Sequence, residues 1–283
     1  MLARTGWGSR AVAIVGEMTG EAVEPHLVAG RSIYGRDAAG YDSGRPSYPE
    51  NVFENLTSRC GLQQGVRAVE VGPGTGQVTR QLIREGAHIV AVEPDPAMAS
   101  YLQNVVPAQQ LDVINTTFEE SVLPDDDFDL AVAATSFHWV NQEIGIPKLK
   151  RVIRVGGWIA LWWTIFGDPE RDDPFEAAVS KLLGVKPQER AQEFRGQLDT
   201  ALSRAEMFVR EGFADFRCEV FHSTEHMDPS KARAFYGSLF RFLSLDEVNR
   251  QRMLTSVEGM VRTDFGGVIE RPFVTVMYTG RKP

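Results

Sequence analysis

Cysteine is almost absent: Cys60 and Cys218 are the only two, and they stand far apart. Such a pair supplies neither a disulfide framework nor a metal-ligand spacing, and it fits a reducing compartment. Basic clusters are missing too. The 38 Asp and Glu outnumber the 30 Lys and Arg, for a net charge of −8, and no Lys/Arg-rich run stands out. That argues against an extended nucleic-acid or anionic-membrane surface, while leaving room for a local basic pocket. No apolar run approaches the ~20 residues of a membrane span. Near the N-terminus, Arg4 and Arg10 are followed by a short apolar run and then by Glu17, Glu21 and Glu24. This is not the pattern of a signal peptide, so a cytoplasmic location is expected. No repeat or low-complexity segment appears. Residues 1–33 show little periodicity and read as a flexible or loosely packed arm.

What remains is a chain of 283 residues with 43% apolar side chains, enough to bury a sizeable core. It is organised around Ala68-Val69-Glu70-Val71-Gly72-Pro73-Gly74-Thr75-Gly76-Gln77-Val78. An apolar run ends in an acid, three glycines follow at alternate positions, and a helical pattern begins. This reads as a strand, a glycine loop and a helix start, which suits a nucleotide-like cofactor: glycine lets a ligand approach the backbone, and a helix N-terminus offers free N–H groups. The dinucleotide fingerprint would need glycine at 77, where Gln77 stands; this counts against a nicotinamide-dependent oxidoreductase.

The following segments alternate between strand and helix patterns. Strands are expected at about 67–71, 88–92, 111–115, 128–134, 158–164, 213–224 and 271–280, with helices between most of them. Such alternation predicts an α/β fold, a Rossmann-like, doubly wound and mainly parallel sheet with helices on both faces. Glu93 ends the second strand about 20 residues after the glycine loop, the place of a ribose-binding acid in mononucleotide units. Pro94 lies beside it. Asp95 and Pro96 form a separate helix start, with Asp95 as cap. Ser47-x-x-Glu50 and Ser244-x-x-Glu247 read as capping boxes. A short basic helix is expected from Pro147 to Val155, its Lys148, Lys150, Arg151 and Arg154 forming a solvated face.

The stretch E-x-G-x-G-x-G at Glu70, Gly72, Gly74 and Gly76 resembles the first motif of class I S-adenosylmethionine-dependent methyltransferases. The approach Leu123-Pro124-x(3)-Phe128-Asp129-Leu130 and the strand end Ser136-Phe137-His138-Trp139 resemble the trans-aconitate methyltransferase-like branch of that family. Tyr41-x(3)-Arg45-Pro46-x-Tyr48-Pro49 resembles a pattern of the family, which the resemblance places over the cofactor and beside the acceptor pocket; an ordinary loop with surface tyrosines is the other reading. The resemblance covers about 40–165 and implies a seven-stranded sheet whose last strand is antiparallel. It implies S-adenosyl-L-methionine as cofactor. Glu70 would bind the methionine amino end, Gly72, Gly74 and Gly76 would form the loop, and Glu93 would hold the ribose. Phe118 and Glu119 would meet the adenine, and Thr135 would leave space for the sulfonium end.

An insertion at about 165–210 would form a lid over the acceptor pocket, within a methyltransferase domain spanning 34–283. Arg171-Asp172-Asp173 and Arg195 are polar residues available there. His138 is the one motif side chain that can be neutral and basic near pH 7. It is the candidate general base, or else it orients a substrate carboxylate or packs between Phe137 and Trp139. The expected partner is a small-molecule acceptor, with neither nucleic acid nor membrane, and no metal. The alternative is a protein of this fold that binds the cofactor without methyl transfer, or uses it for another reaction.

Overall fold

The computed structural model describes residues 33–283. The arm read at residues 1–33 lies outside the described residues but for Ile33. Seven strands form one sheet: β1 (Arg67–Val71), β2 (His88–Val92), β3 (Leu111–Ile114), β4 (Phe128–Ala134), β5 (Ile153–Ile165), β6 (Ala214–Met227) and β7 (Ile269–Arg281), in the order β3-β2-β1-β4-β5-β7-β6. The first five are parallel, and β7 runs antiparallel to both β5 and β6. The expected doubly wound, mainly parallel sheet is the fold observed.

Period-two alternation divides the core. Val69, Val71, Ala131, Ala133, Ile159, Leu161, Val274 and Val276 face one side. There they pack against α5 (Gln142–Val152), α7 (Pro187–Leu202) and α8 (Ala205–Arg210). Ala68, Ile89, Ala91, Leu130, Val132, Ala160 and Trp162 face the other side. That face is covered by α2 (Glu50–Cys60), α3 (Gln77–Arg84) and α4 (Pro96–Val105), which present Val52, Leu56, Val78, Leu82 and Leu102. A sheet buried on both faces needs such near-continuous apolar strands. A third cluster joins α6 (Pro174–Leu182), α9 (Pro229–Gly237), α10 (Phe240–Leu243) and α11 (Glu247–Thr263) to the start of β7. Short α1 (Ala38–Gly44) precedes α2.

Some local expectations are overturned. Neither capping box forms. Pro49 stands at the N-cap of α2 without a side-chain bond. Asp246, not Ser244, caps α11, accepting from Asn249 N; its ionised carboxylate is the stronger acceptor and lies next to the helix. α5 begins at Gln142, capped by Asn141, so Pro147 lies inside it and one helical hydrogen bond is forgone. Gly156 and Gly157 do not stop that helix but lie in β5, beside an irregularity in its pairing with β4. Lys148 is not on a solvated face: it is 6% exposed. Asp95 caps α4 as expected, accepting from Ala97 N and Met98 N.

Candidate active site

The C-terminal ends of β1, β2, β4 and β5 open into a cavity of about 860 Å³. Open α/β sheets bind ligands at this edge. The glycine loop forms its floor. Gly72 N donates to Val92 O at 2.9 Å and Gly76 N to Pro73 O at 3.0 Å. The three glycines have different reasons to be glycine. A Cβ on Gly72 would lie 2.7 Å from Ser136 Cβ, and one on Gly76 would lie 2.5 Å from Leu102. A Cβ on Gly74 would meet only Tyr41, at 3.9 Å, so there the backbone faces open space. Gly72 and Gly74 line the cavity; Gly76 is the left-handed N-cap of α3 and is not part of the lining.

Glu93 reaches back from β2 to this loop. One carboxylate oxygen accepts from Gly74 N at 2.9 Å and the other from Asp95 N at 3.0 Å. Its backbone carbonyl accepts from Asn115 Nδ2 at 2.7 Å. Glu93 and Asp95 thus divide the work: one carboxylate sits at the cavity and the other caps the helix. Glu70 is buried under α3, where Thr79 Oγ1 donates to it at 2.7 Å. Burial is the main reason its carboxyl is pushed up to about 7, with the Thr79 hydrogen bond opposing that shift.

The end of β4 forms the opposite wall. Thr135 has φ 52, a left-handed conformation costly for a β-branched residue. Its N donates to Trp162 O at 2.7 Å. Its Oγ1 accepts from Tyr48 OH at 3.2 Å and from Thr164 N at 3.2 Å, so β5 and the loop before α2 both fix it. Ser136 Oγ donates to Val71 O at 2.5 Å, tying β4 to β1. His138 follows in a single 3-10 turn, its ring centroid 4.9 Å from that of Trp139. Burial raises the Tyr48 hydroxyl well above its ordinary value, against the Thr135 hydrogen bond.

On the third side, Phe118 is buried and Glu119 Oε1 accepts from Asn141 N at 2.8 Å. Lys148 sits beneath them. Its ammonium donates to the carbonyls of Phe118 at 2.6 Å, Glu119 at 3.1 Å and Ser121 at 2.5 Å. Burial lowers its pKa. The cavity lining therefore brings together Glu70, Gly72, Gly74, Glu93, Pro94, Phe118, Glu119, Thr135 and His138, leaving out Gly76 alone among the residues expected to bind cofactor or act as base.

Asp42, Arg190, Glu193 and Arg204 had no signal in the sequence, whereas the Tyr41–Tyr48 motif stands where the resemblance placed it, at the cavity. Asp42 of α1 accepts from Gln77 Nε2 at 3.1 Å, Arg80 NH2 at 2.7 Å and Tyr101 OH at 3.1 Å. The aromatic motif is thereby latched over the glycine loop, and Gln77 has a polar use at the position where a dinucleotide fingerprint needs glycine. Tyr34, Tyr41, Arg45 and Tyr48 all line the cavity. From residues 165–210 come Arg190, Glu193 and Arg204, whereas Arg171 and Arg195 are exposed and outside the lining. Asp173 caps α6 and pairs at 2.7 Å with Arg271, which is fully buried.

Known proteins resemble this chain in its domain and its fold. Residues 69–161 match the family model described as a methyltransferase domain. An uncharacterized methyltransferase of Mycobacterium tuberculosis is 35% identical over 130 residues, 46% of this chain; the chain spans only about half, 51%, of that relative's length. An uncharacterized methyltransferase-like protein of Schizosaccharomyces pombe is 26% identical over 232 residues, covering 80% of this chain and 85% of that one. The fold is shared with a candidate type II methyltransferase structure from Anaeromyxobacter dehalogenans, with TM-score 0.57 and 20% identity over 84% of this chain and 97% of the other. These matches do not single out the trans-aconitate branch. Residues 69–161 thus match a methyltransferase domain, and the chain shares the fold of methyltransferase structures.

Proposed function

We propose that this protein transfers a methyl group from S-adenosylmethionine to a small-molecule acceptor. The observation that carries the reading is the meeting, in one cavity, of a glycine loop open at Gly74 and a carboxylate, Glu93, bonded to that loop. The residues fit the cofactor by their chemistry. Glu93 can accept from ribose hydroxyls, Glu70 can face an amino group, and Phe118 with Glu119 offers an apolar surface and an acceptor for adenine. The aromatic walls are suited to a sulfonium cation. When bound, the cofactor supplies an electrophilic methyl group, so the hard chemistry is its own.

The chain's own residues then orient the acceptor and exclude water, which can contribute up to roughly 7–11 kcal/mol of barrier lowering. His138 receives the proton where the acceptor is a hydroxyl; a carboxylate acceptor needs no base. The α1 latch and the helices at about 165–210 act as covers. Calorimetric titration with S-adenosylhomocysteine, with NADH as control, tests the reading. Binding of the first alone supports it. Binding of NADH alone overturns the assignment of the glycine loop.

A further inference from the structure

Among the described residues, Arg45 Nε, Trp163 Nε1 and Arg204 Nε lie in the cavity lining, buried and without a hydrogen bond. All three are donors, and two belong to guanidinium groups, which cannot shed their charge. Buried polar groups are nearly always satisfied, so three unmet donors around one cavity point to oxygens brought by a ligand.

The other arginines there are differently placed. Arg190 pairs with Glu176 at 2.8 Å and Glu193 at 2.7 Å, and Arg241 pairs with Glu193 at 2.6 Å. Glu176 also receives Arg271, at 2.7 Å. Glu176 and Glu193, the acids that residues 165–210 contribute to the lining, are thus already matched. Among the described residues neither Arg45 nor Arg204 has an ion-pair partner. Arg45 is partly satisfied, donating through NH2 to Ser238 O at 3.0 Å, with its guanidinium 4.7 Å from the Tyr41 centroid. Arg204, at the turn between α7 and α8, has its guanidinium 4.3 Å from the centroid of Trp163. Burial lowers its pKa, and Tyr278 alone opposes this. Stacking on Trp163 satisfies a face of the guanidinium but not its N–H edge.

We propose that Arg204 is the acceptor-selecting residue of this site, and that the acceptor is a flat, apolar carboxylate whose oxygens Arg204 binds. The planar fork of arginine matches a carboxylate. Phe166, Phe194, Phe240 and Trp139, also in the lining, provide surface for an aryl or conjugated body and disfavour a small, densely charged polyacid. The inference rests on the reading of the cavity as a methyltransferase site with an acceptor compartment.

The test uses the full chain saturated with S-adenosylhomocysteine and titrated calorimetrically with benzoate, its neutral counterpart benzamide, and succinate. A charge-assisted hydrogen bond predicts benzoate binding about ten- to a hundred-fold tighter than benzamide, with succinate weaker than benzoate. In Arg204→Met that preference should vanish while affinity for S-adenosylhomocysteine is kept; in Arg45→Met most of it should remain. Equal affinity of the wild type for benzoate and benzamide, binding of neither, or succinate binding as tightly as benzoate would overturn the proposal, and these arms do not depend on any variant folding. So would a benzoate preference that survives Arg204→Met, or one lost only in Arg45→Met. Failure of S-adenosylhomocysteine itself to bind is a separate result, which sinks the underlying methyltransferase reading instead.

Discussion

Glu70 should make the stability of this protein depend on pH in an unusual direction. Its carboxyl is 1% exposed. Burial lifts its pKa from the ordinary 4.5 to about 7; the Thr79 hydrogen bond opposes the shift, the charge of Glu93 adds to it, and Arg80 opposes it. The folded pKa lies above the unfolded one, so as pH rises the unfolded chain loses this proton first. Between about pH 4.5 and pH 7 the folded state holds more protons, and stability falls with rising pH. The interval is ~2.5 pH units, and at ~1.36 kcal/mol each the loss is about 3 kcal/mol, complete above pH 7.

Glu70→Gln is neutral throughout and keeps an oxygen to accept from Thr79. Urea unfolding of wild type and variant from about pH 4.5 to pH 8 isolates the effect, because the remaining carboxylates titrate in both proteins. The variant should gain on the wild type by about 3 kcal/mol across that range. A difference that stays flat would refute the burial argument. The same group bears on the proposed amino-group contact. An ammonium placed beside Glu70 favours its carboxylate, so binding of S-adenosylhomocysteine near pH 7 should release a proton. Calorimetry in two buffers of different ionisation enthalpy would detect it in the wild type and not in Glu70→Gln.

Three further outcomes are expected. Glu93→Ala should weaken S-adenosylhomocysteine binding by about ten-fold or more, through loss of charged hydrogen bonds worth ~1.5–3 kcal/mol, with the far-ultraviolet circular dichroism unchanged; unaltered affinity by calorimetry would reject the ribose assignment. His138→Ala should lower kcat by roughly 10²- to 10⁴-fold if the residue takes a proton, leaving cofactor affinity nearly intact; equal losses in both would indicate a packing role beside Trp139. Lys148→Met should cost about 3 kcal/mol or more in urea unfolding, since it strands carbonyls that each lose a charged donor, and should weaken S-adenosylhomocysteine binding by loosening the Phe118–Glu119 turn; a stability within ~0.5 kcal/mol of wild type would show that those carbonyls have other partners.

The cofactor half of the fold was legible because its signals are local. The run 68–78 carries strand, turn and helix start within eleven positions, and Asp95-Pro96 announces the next helix by adjacent residues alone. Glu93 could be separated from Asp95 by sequence distance to the glycine loop, and the structure shows the two carboxylates in those different places. Lys148 failed the same approach. Its neighbours Lys150, Arg151 and Arg154 made a charged run that looked solvated, whereas its partners are backbone carbonyls at 118, 119 and 121, about thirty positions upstream, and carbonyls have no sequence signature. The capping boxes misled for a simpler reason: Ser-x-x-Glu fixes a spacing, but Asp246 next to the helix out-competes Ser244 two positions earlier.

The side of the cavity proposed for the acceptor is built from residues that no short pattern connects. Arg45 follows α1, Trp163 is on β5, Arg204 lies in the turn after α7 and Phe240 is on α10; only the fold assembles them. The match to the methyltransferase family model ends at residue 161, before Trp163 and before every residue of the helices that cover the cavity from that side. What those helices contribute is a set of matched charges, Glu176, Glu193, Arg190 and Arg241, surrounding a site where Arg204 is left unmatched. Matched pairs in a partly buried wall fix the helices' relative positions and add little net charge. Arg204 and Arg45, the lining arginines without an ion-pair partner among the described residues, would then set the electrostatic preference of the proposed compartment. On the proposal made above, acceptor selectivity would follow from which arginines of the cavity are left without a carboxylate. Swapping Gln197, which also lines the cavity, for Glu would be expected to reduce binding of anions without disturbing the glycine loop or Glu93.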